Sequence, residues 1–239
     1  TYNEAENIDE VLTRLRAAVP TCSVLVVDEG SPDGTAELAE KLGETLGDIS
    51  VLRRAAKSGL GSAYRAGFRW GIDRGYEALI EMDADLSHDP ASLPAMIDAL
   101  RTSGAGLVIG SRYVPGGSIP NWSWHRKALS RWGNRYAGFV LGLPVRDATA
   151  GFRVYRADVV DRLDLDTVHA DGYGFQIEMA YKVRGLGEAV VEHPIAFRDR
   201  ERGTSKMSGA IVVEALWMVT WWALRDRVLR RIPGFRRRG

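Results

Sequence analysis

Between Ser23 and Tyr113 the chain repeats one alternation, and this pattern constrains the fold more than any single motif. Aliphatic runs ("SVLVVD", "ISVLRR", "EALIEMDAD", "AGLVIGSRY") alternate with helix-period stretches ("TAELAEKLGETL", "GLGSAYRAGFRWGIDRG", "ASLPAMIDALRTS"). The runs are continuously apolar rather than alternating, as suits strands covered on both faces of a parallel sheet. Strand and helix recur roughly every 25 residues, the signature of right-handed βαβ units. The expectation is an α/β fold: a doubly wound, mostly parallel sheet with helices on both faces. With 239 residues and 45% hydrophobic content, one large core is expected rather than two. Ile8, Val11, Leu12, Leu15 and Val19 are spaced for a helix ahead of the first run. Such a domain usually opens on a strand, so a strand before Thr1 is expected, with the numbering starting inside a longer protein. The opening residues read as loop and helix rather than as a signal peptide.

The second half is less regular. "PNWSWHRKALSRWGNRYAGFVLG" reads as loop then helix, "DATAGFRVYRADVVDRL" as turn, strand and short helix, and "GYGFQIEMAYKVRGLG" as helix. "EAVVEHPIAFRD" is an extended strand and "RERGTSKMSG" a polar basic loop. Lys and Arg total 32 against 31 Asp and Glu, a net charge of +1 that by itself says nothing about nucleic acid; no nucleic-acid partner is expected. One cysteine, Cys22, excludes an internal disulfide; at the start of a strand it reads as a buried structural thiol.

Ligands in doubly wound sheets bind beyond the carboxyl ends of the strands. "DEGS", "DAD" and "GSRY" all fall on that edge. In "EMDADLSHDP", Asp83 and Asp85 are two residues apart, on one face if the chain stays extended. Two carboxylates held together need a proton, a cation or water between them. An isolated Asp-x-Asp is more often a solvated acidic turn. In "VVDEGSPDGT", Asp28 and Glu29 end a strand; the stretch reads equally as a cap-and-turn cluster around Ser31, Asp33 and Thr35 or as a carboxylate facing a nucleobase N–H edge. "GLGSAYRAG" lacks the G-x-G-x-x-G spacing, which argues against a dinucleotide oxidoreductase. Arg112, Arg126, Lys127, Arg198, Arg200, Arg202 and Lys206 gather in loops, and arginine suits bidentate phosphate contacts. Two carboxylates and several cations on one rim read as a diphosphate site.

Taken together, "TYNEAENI", "VVDEGSPDGT", "GLGSAY", "MDADLSH", "GSRY", "TAGFRVY", "GYGFQIEM" and "FRDRERGTSK" resemble the serial motifs of family 2 inverting glycosyltransferases of the GT-A fold, and more narrowly the polyprenyl (dolichyl) phosphate mannosyltransferases. The resemblance runs from Thr1 to about Lys206, in order. It implies a GT-A domain over 1–207 and an amphipathic, Arg-rich tail over 208–239. Tyr2 and Glu4 match the loop that holds the nucleotide, and Val27 and Glu29 the pair flanking guanine. Most members carry Asp where this chain has Glu29, one methylene longer. Asp83, Ala84 and Asp85 match the metal-binding Asp-x-Asp, which implies Mg²⁺ or Mn²⁺. Arg112, Arg126, Arg200 and Lys206 match the cations that grip the diphosphate and the acceptor phosphate.

The implied reaction is transfer of mannose from GDP-mannose to a polyprenyl phosphate with inversion. A glucosyl or other sugar transferase to the same lipid shares nearly every motif, and a non-catalytic nucleotide-sugar-binding module is the alternative from another class. Glu178 is expected to be structural or to position the acceptor. From Gly209 to Leu224 the tail is mostly apolar but short of the roughly 20 residues a spanning helix needs. Trp217, Trp221 and Trp222 precede seven arginines (Arg225, Arg227, Arg230, Arg231, Arg236, Arg237, Arg238). The tail is expected to lie peripherally on the cytoplasmic face of the membrane, with packing on the domain's own core as the alternative. A separate membrane protein partner is a further expectation.

Overall fold

The computed structural model describes residues 1–199 and 215–225. The expected alternation is present. Helix α1 (Ile8–Ala18) leads into β1 (Val24–Asp28), α2 (Thr35–Leu46), β2 (Ile49–Arg53) and α3 (Leu60–Asp73). Strand β3 (Ala78–Glu81), α4 (Leu93–Ser103), β4 (Leu107–Ser111) and α5 (Trp124–Leu141) follow. The described second half adds β5 (Arg153–Arg156), α6 (Ala157–Asp161), α7 (Gly172–Gly185) and β6 (Val190–Pro194). Residues 215–225 are helical.

The sheet differs from the expectation in two respects. The described strands form two sheets, β1–β2 and β3–β5–β4–β6, rather than one. They are mixed rather than mostly parallel: β1–β2 and β4–β6 pair parallel, whereas β5 runs antiparallel to both β3 and β4. Periodicity could not show this, because a reversed strand buried on both faces carries the same apolar run as a parallel one. Just after β1 the Glu29 N–H donates to the Thr1 carbonyl at 3.0 Å.

The reversal of β5 matters for placement. An antiparallel strand begins where its parallel neighbours end, so the segment before β5 arrives at the carboxyl edge of β3 and β4. Glu81 and Arg153 face each other in the β3–β5 register, both fully buried. Arg153 donates to the Ala150, Ala148 and Gln176 carbonyls, each at 2.7 Å. It therefore ties the turn before β5 to α7.

The main core joins Phe68 of α3, Leu107 and Ile109 of β4, Tyr155 of β5, and Phe175 and Met179 of α7. The helix at 215–225 packs on this core through Val219 and Trp222, with Trp222 stacked on Tyr181. Its other side leaves Trp217, Trp221 and Leu224 exposed. The alternative of core packing thus holds for one face of this helix, and the outward aromatic face remains.

Candidate active site

Every sequence-selected site residue that is described lines a single cavity of about 1880 Å³: Tyr2, Glu4, Val27, Glu29, Asp83, Ala84, Asp85, Arg112 and Arg126. Arg200 and Lys206 lie outside the described residues. The cavity opens at the carboxyl ends of β1 and β3 and continues, apolar, between the two sheets past Leu25 and Leu79.

On the β1 side the backbone fixes the acid. Glu29 is buried, and its Oε1 accepts the Ser58 N–H at 2.9 Å, with Arg54 Nη1 at 3.7 Å. Gly30 turns the chain away immediately, at φ +73° with its Cα against the Arg54 carbonyl, where a Cβ would sit 3.3 Å from that oxygen. Glu4 is partly committed to the local fold: its Oε2 accepts from Asn7 Nδ2 at 2.9 Å, and its N–H donates to Thr35 Oγ1 at 3.0 Å. Lys57 Nζ sits 4.7 Å from the Tyr2 ring centre, a cation–π contact at the mouth.

The acidic pair is not on the strand. Strand β3 ends at Glu81, and Asp83 and Asp85 occupy a bent loop after it. Asp85 makes the bend: its Oδ1 accepts both the N–H and the hydroxyl of Ser87, at 3.0 and 2.5 Å. Leu86 takes φ +64° between them. Both residues line the cavity from this loop rather than from the pleated strand. Asp83 Oδ1 accepts from the Tyr64 hydroxyl at 3.1 Å; burial and then the nearby Asp83 carboxylate push that phenol well up, so it stays a neutral donor. The Asp83 N–H donates to His88 Nδ1 at 3.3 Å, and burial holds this imidazole below its ordinary pKa. A Cβ added to Gly151 would lie 3.8 Å from Asp83 Oδ2, so the segment before β5 closes over the acid. Behind them, burial pushes the Glu81 carboxyl up to about 8, against the pull of Arg153.

Among the described residues no group of three or more His, Cys, Asp or Glu is placed to hold a metal ion. A divalent ion here would draw two carboxylates from Asp83 and Asp85 and fill its other positions from phosphate and water. That ligand set fits Mg²⁺ or Mn²⁺, hard cations taken up through one or two carboxylates plus substrate phosphate.

Arg112, expected to grip phosphate, lines the cavity with a guanidinium that is 6% exposed and paired to Asp147. Nε and Nη2 donate to the two Asp147 oxygens at 2.7 and 2.6 Å, and Nη2 also to Thr149 Oγ1 at 2.9 Å. Asp147 is held in turn: its N–H and that of Arg146 donate to Glu192 on β6, each at 2.9 Å. Arg112 therefore shapes the cavity wall through Asp147. Arg126, by contrast, is 48% exposed, lies 3.8 Å over the Trp122 ring and meets Asp199 at 3.1 Å. Trp122 Nε1 donates to the same Asp199 oxygen at 2.7 Å. Glu178 takes the Ala170 N–H at 3.1 Å and serves the backbone of α7's approach.

Sequence reasoning missed Tyr64, His88, Trp122 and Asp199, all on the cavity wall. Tyr64 and His88 stand inside the quoted stretches "GLGSAY" and "MDADLSH", and only contact with Asp83 gives them a role. Asp147 had no local signal, since its partner Arg112 is 35 residues away.

The chain belongs to glycosyl transferase family 2, whose family model matches residues 1–164. It is 52% identical over 227 residues to an undecaprenyl-phosphate mannosyltransferase of Micrococcus luteus, covering 95% of this chain and 93% of that protein. It is 48% identical to a polyprenol monophosphomannose synthase of Mycolicibacterium smegmatis, over 96% of this chain and 87% of the relative. In fold it matches glucosyl-3-phosphoglycerate synthase from Mycobacterium tuberculosis, solved with Mn²⁺, UDP-glucose and phosphoglyceric acid. That match has a TM-score of 0.66 at 19% identity and covers 92% of this chain and 77% of the other.

Proposed function

We propose that the protein transfers mannose from GDP-mannose to a polyprenyl phosphate, giving a polyprenyl phosphate β-mannose. The observation that carries this reading is the meeting of Glu29, the Asp83–Asp85 pair and Arg126 at one cavity. Kinship over nearly the whole chain to two polyprenyl-type phosphate mannosyltransferases supports the choice of sugar and lipid.

An oxygen of the lipid phosphate forms a bond to the anomeric carbon as the bond to the GDP oxygen breaks, and GDP leaves with the electron pair. One face is attacked as the opposite bond opens, so the centre inverts. A phosphate monoester has a second pKa of about 6 and is already dianionic near neutrality, so no side chain need remove a proton. A divalent ion at the Asp pair, when bound, offsets the charge that gathers on the leaving diphosphate. Asp83 and Asp85 would hold it; the Tyr64 hydroxyl and Ser87 bond their carboxylates, and His88 accepts the Asp83 N–H. Glu29, kept in place by the Ser58 N–H, accepts from the base, with Val27 beside it; Tyr2 and Glu4 border the same nucleotide. Arg126 meets phosphate by direct contact, whereas Arg112 positions the wall. Arg200 and Lys206, outside the described residues, are assigned to the acceptor phosphate.

Among the described residues no helix is long and apolar enough to cross a membrane. A lipid-linked acceptor therefore brings the enzyme to the membrane surface peripherally, on the cytoplasmic side. The test is single-turnover transfer from GDP-mannose to a polyprenyl phosphate, with GDP-glucose and UDP-glucose as controls. Transfer confined to GDP-mannose supports the reading; transfer of glucose instead assigns the other sugar, and binding without transfer assigns the non-catalytic module.

A further inference from the structure

Two nitrogen donors on the cavity rim converge on one oxygen of one carboxylate. Trp122 Nε1 donates to Asp199 Oδ1 at 2.7 Å, and Arg126 Nη1 donates to the same atom at 3.1 Å. All three residues line the cavity. An indole N–H and a guanidinium can only donate, so the point they share calls for an acceptor, best an anion. Here the chain's own carboxylate fills it.

The point is fixed by backbone on the side that leads to the acid. Trp122 packs edge-on against Phe197, and Phe197 packs in the same way on His88. The Phe197 N–H donates to the Ser118 carbonyl at 2.9 Å, and the Arg198 N–H to the Ser87 carbonyl at 3.1 Å. The chain is thus pinned up to the residue before Asp199. The carboxylate beyond that pin is 37% exposed and its partner Arg126 48%. Exposed pairs bind weakly, so rotation about one side-chain bond can withdraw the acid while the donors stay in place. Asp147 has no such freedom, since it is fully buried and bidentate to Arg112.

Charge orders the competition for the two donors. A tethered carboxylate acts at an effective concentration in roughly the millimolar range, enough to exclude dilute monoanions. A phosphate monoester brings roughly two negative charges and several strong acceptor oxygens, so it can displace a single carboxylate oxygen. Transfer converts that monoester into a singly charged diester, against which the tethered acid competes better.

We propose that Asp199 is a displaceable counter-ion at the acceptor-phosphate position. It holds Trp122 and Arg126 until the phosphate monoester arrives, and takes them back once transfer has made the diester. Only hydrogen-bond partners are exchanged, and no covalent step is added. The proposal rests on the function above, in which Arg126 meets phosphate directly. Asp199 is a positioning residue: it acts through Arg126 and Trp122 and touches no reacting atom. A carboxylate that only braced Arg126 for the phosphate would have the opposite effect on acceptor binding. Removing a competitor tightens binding, whereas removing a brace weakens it.

The test compares Asp199→Asn and Asp199→Glu with the parent, using a short-chain, water-soluble prenyl phosphate as acceptor. Asparagine keeps the shape and an oxygen for Trp122 while removing the charge. KM for the acceptor and the inhibition constant of the diester product should each fall about threefold, the scale of one exposed pair. KM for the nucleotide sugar and the urea midpoint should match the parent, and kcat should not rise, because product leaves no faster. Glutamate restores the charge and should return both constants toward parental values. A raised acceptor KM in Asp199→Asn would overturn the proposal and make the acid a brace; unchanged constants would overturn it as well. Calorimetric binding of the prenyl phosphate without donor separates this result from the catalytic reading. Tighter binding by Asp199→Asn in a chain that transfers no mannose supports the counter-ion and removes the proposed reaction. No binding by parent and variant alike overturns the counter-ion.

Discussion

The two walls of the cavity hold charge in opposite ways. On the Arg112 wall a cation is buried, bidentate to Asp147 and backed by Glu192, so its charge is internally neutralised. On the Arg126 rim a cation of the same chemistry is half exposed, stacked on Trp122 and paired to Asp199 through one oxygen. The first arrangement gives a fixed wall; the second leaves a cation that an incoming anion can reach. Residue type therefore does not decide whether an arginine serves structure or substrate. Burial and the geometry of its partner do.

That contrast can be broken in measurable steps. The largest effect is expected from Arg112→Ala, which strands Asp147 in the interior and should cost about 3–5 kcal/mol in urea unfolding. A loss below about 1 kcal/mol would erase the distinction between the walls. Next comes Asp85→Asn, which keeps the Oδ1 that Ser87 uses and removes only charge. Melting should match the parent while turnover falls about 100-fold, or about 2.7 kcal/mol of barrier. A parental rate, or full activity in excess chelator, would remove the metal from the Asp pair. Arg126→Ala should change stability by no more than about 1 kcal/mol, yet raise KM for substrate about tenfold through one lost charge-assisted bond. The smallest value is expected from the Arg126–Asp199 double-mutant cycle. Its coupling in unfolding experiments should stay under about 1 kcal/mol, against several for Arg112 with Asp147. Equal couplings would show that exposure does not separate the two pairs.

The sequence was legible where chemistry and position are local. The helices and strands from Ile8 to Ser111 follow their apolar periods, and strand-end logic put the acids after β1 and β3 on the rim, although only the family resemblance gave them a role. What it concealed was long-range. The direction of β5 depends on which neighbours it pairs with, and its apolar run is silent on that. The expected shared face of Asp83 and Asp85 assumed an extended chain, whereas Ser87 folds the loop around Asp85. The pairing of Arg112 with Asp147 was invisible because the two are 35 residues apart.

The reversed strand has one more consequence. Because β5 begins at the rim, the five-residue span 147–151 just ahead of it touches both walls: Asp147 and Thr149 hold Arg112, and Gly151 lies against Asp83. A span this short, anchored by Asn134 and Arg153, acts as a strut rather than a tether. The donor acid and the opposite wall are thereby geared together. A substitution that breaks this strut would loosen the packing at Asp83 and the wall at Arg112 together, although the two side chains are not bonded to each other.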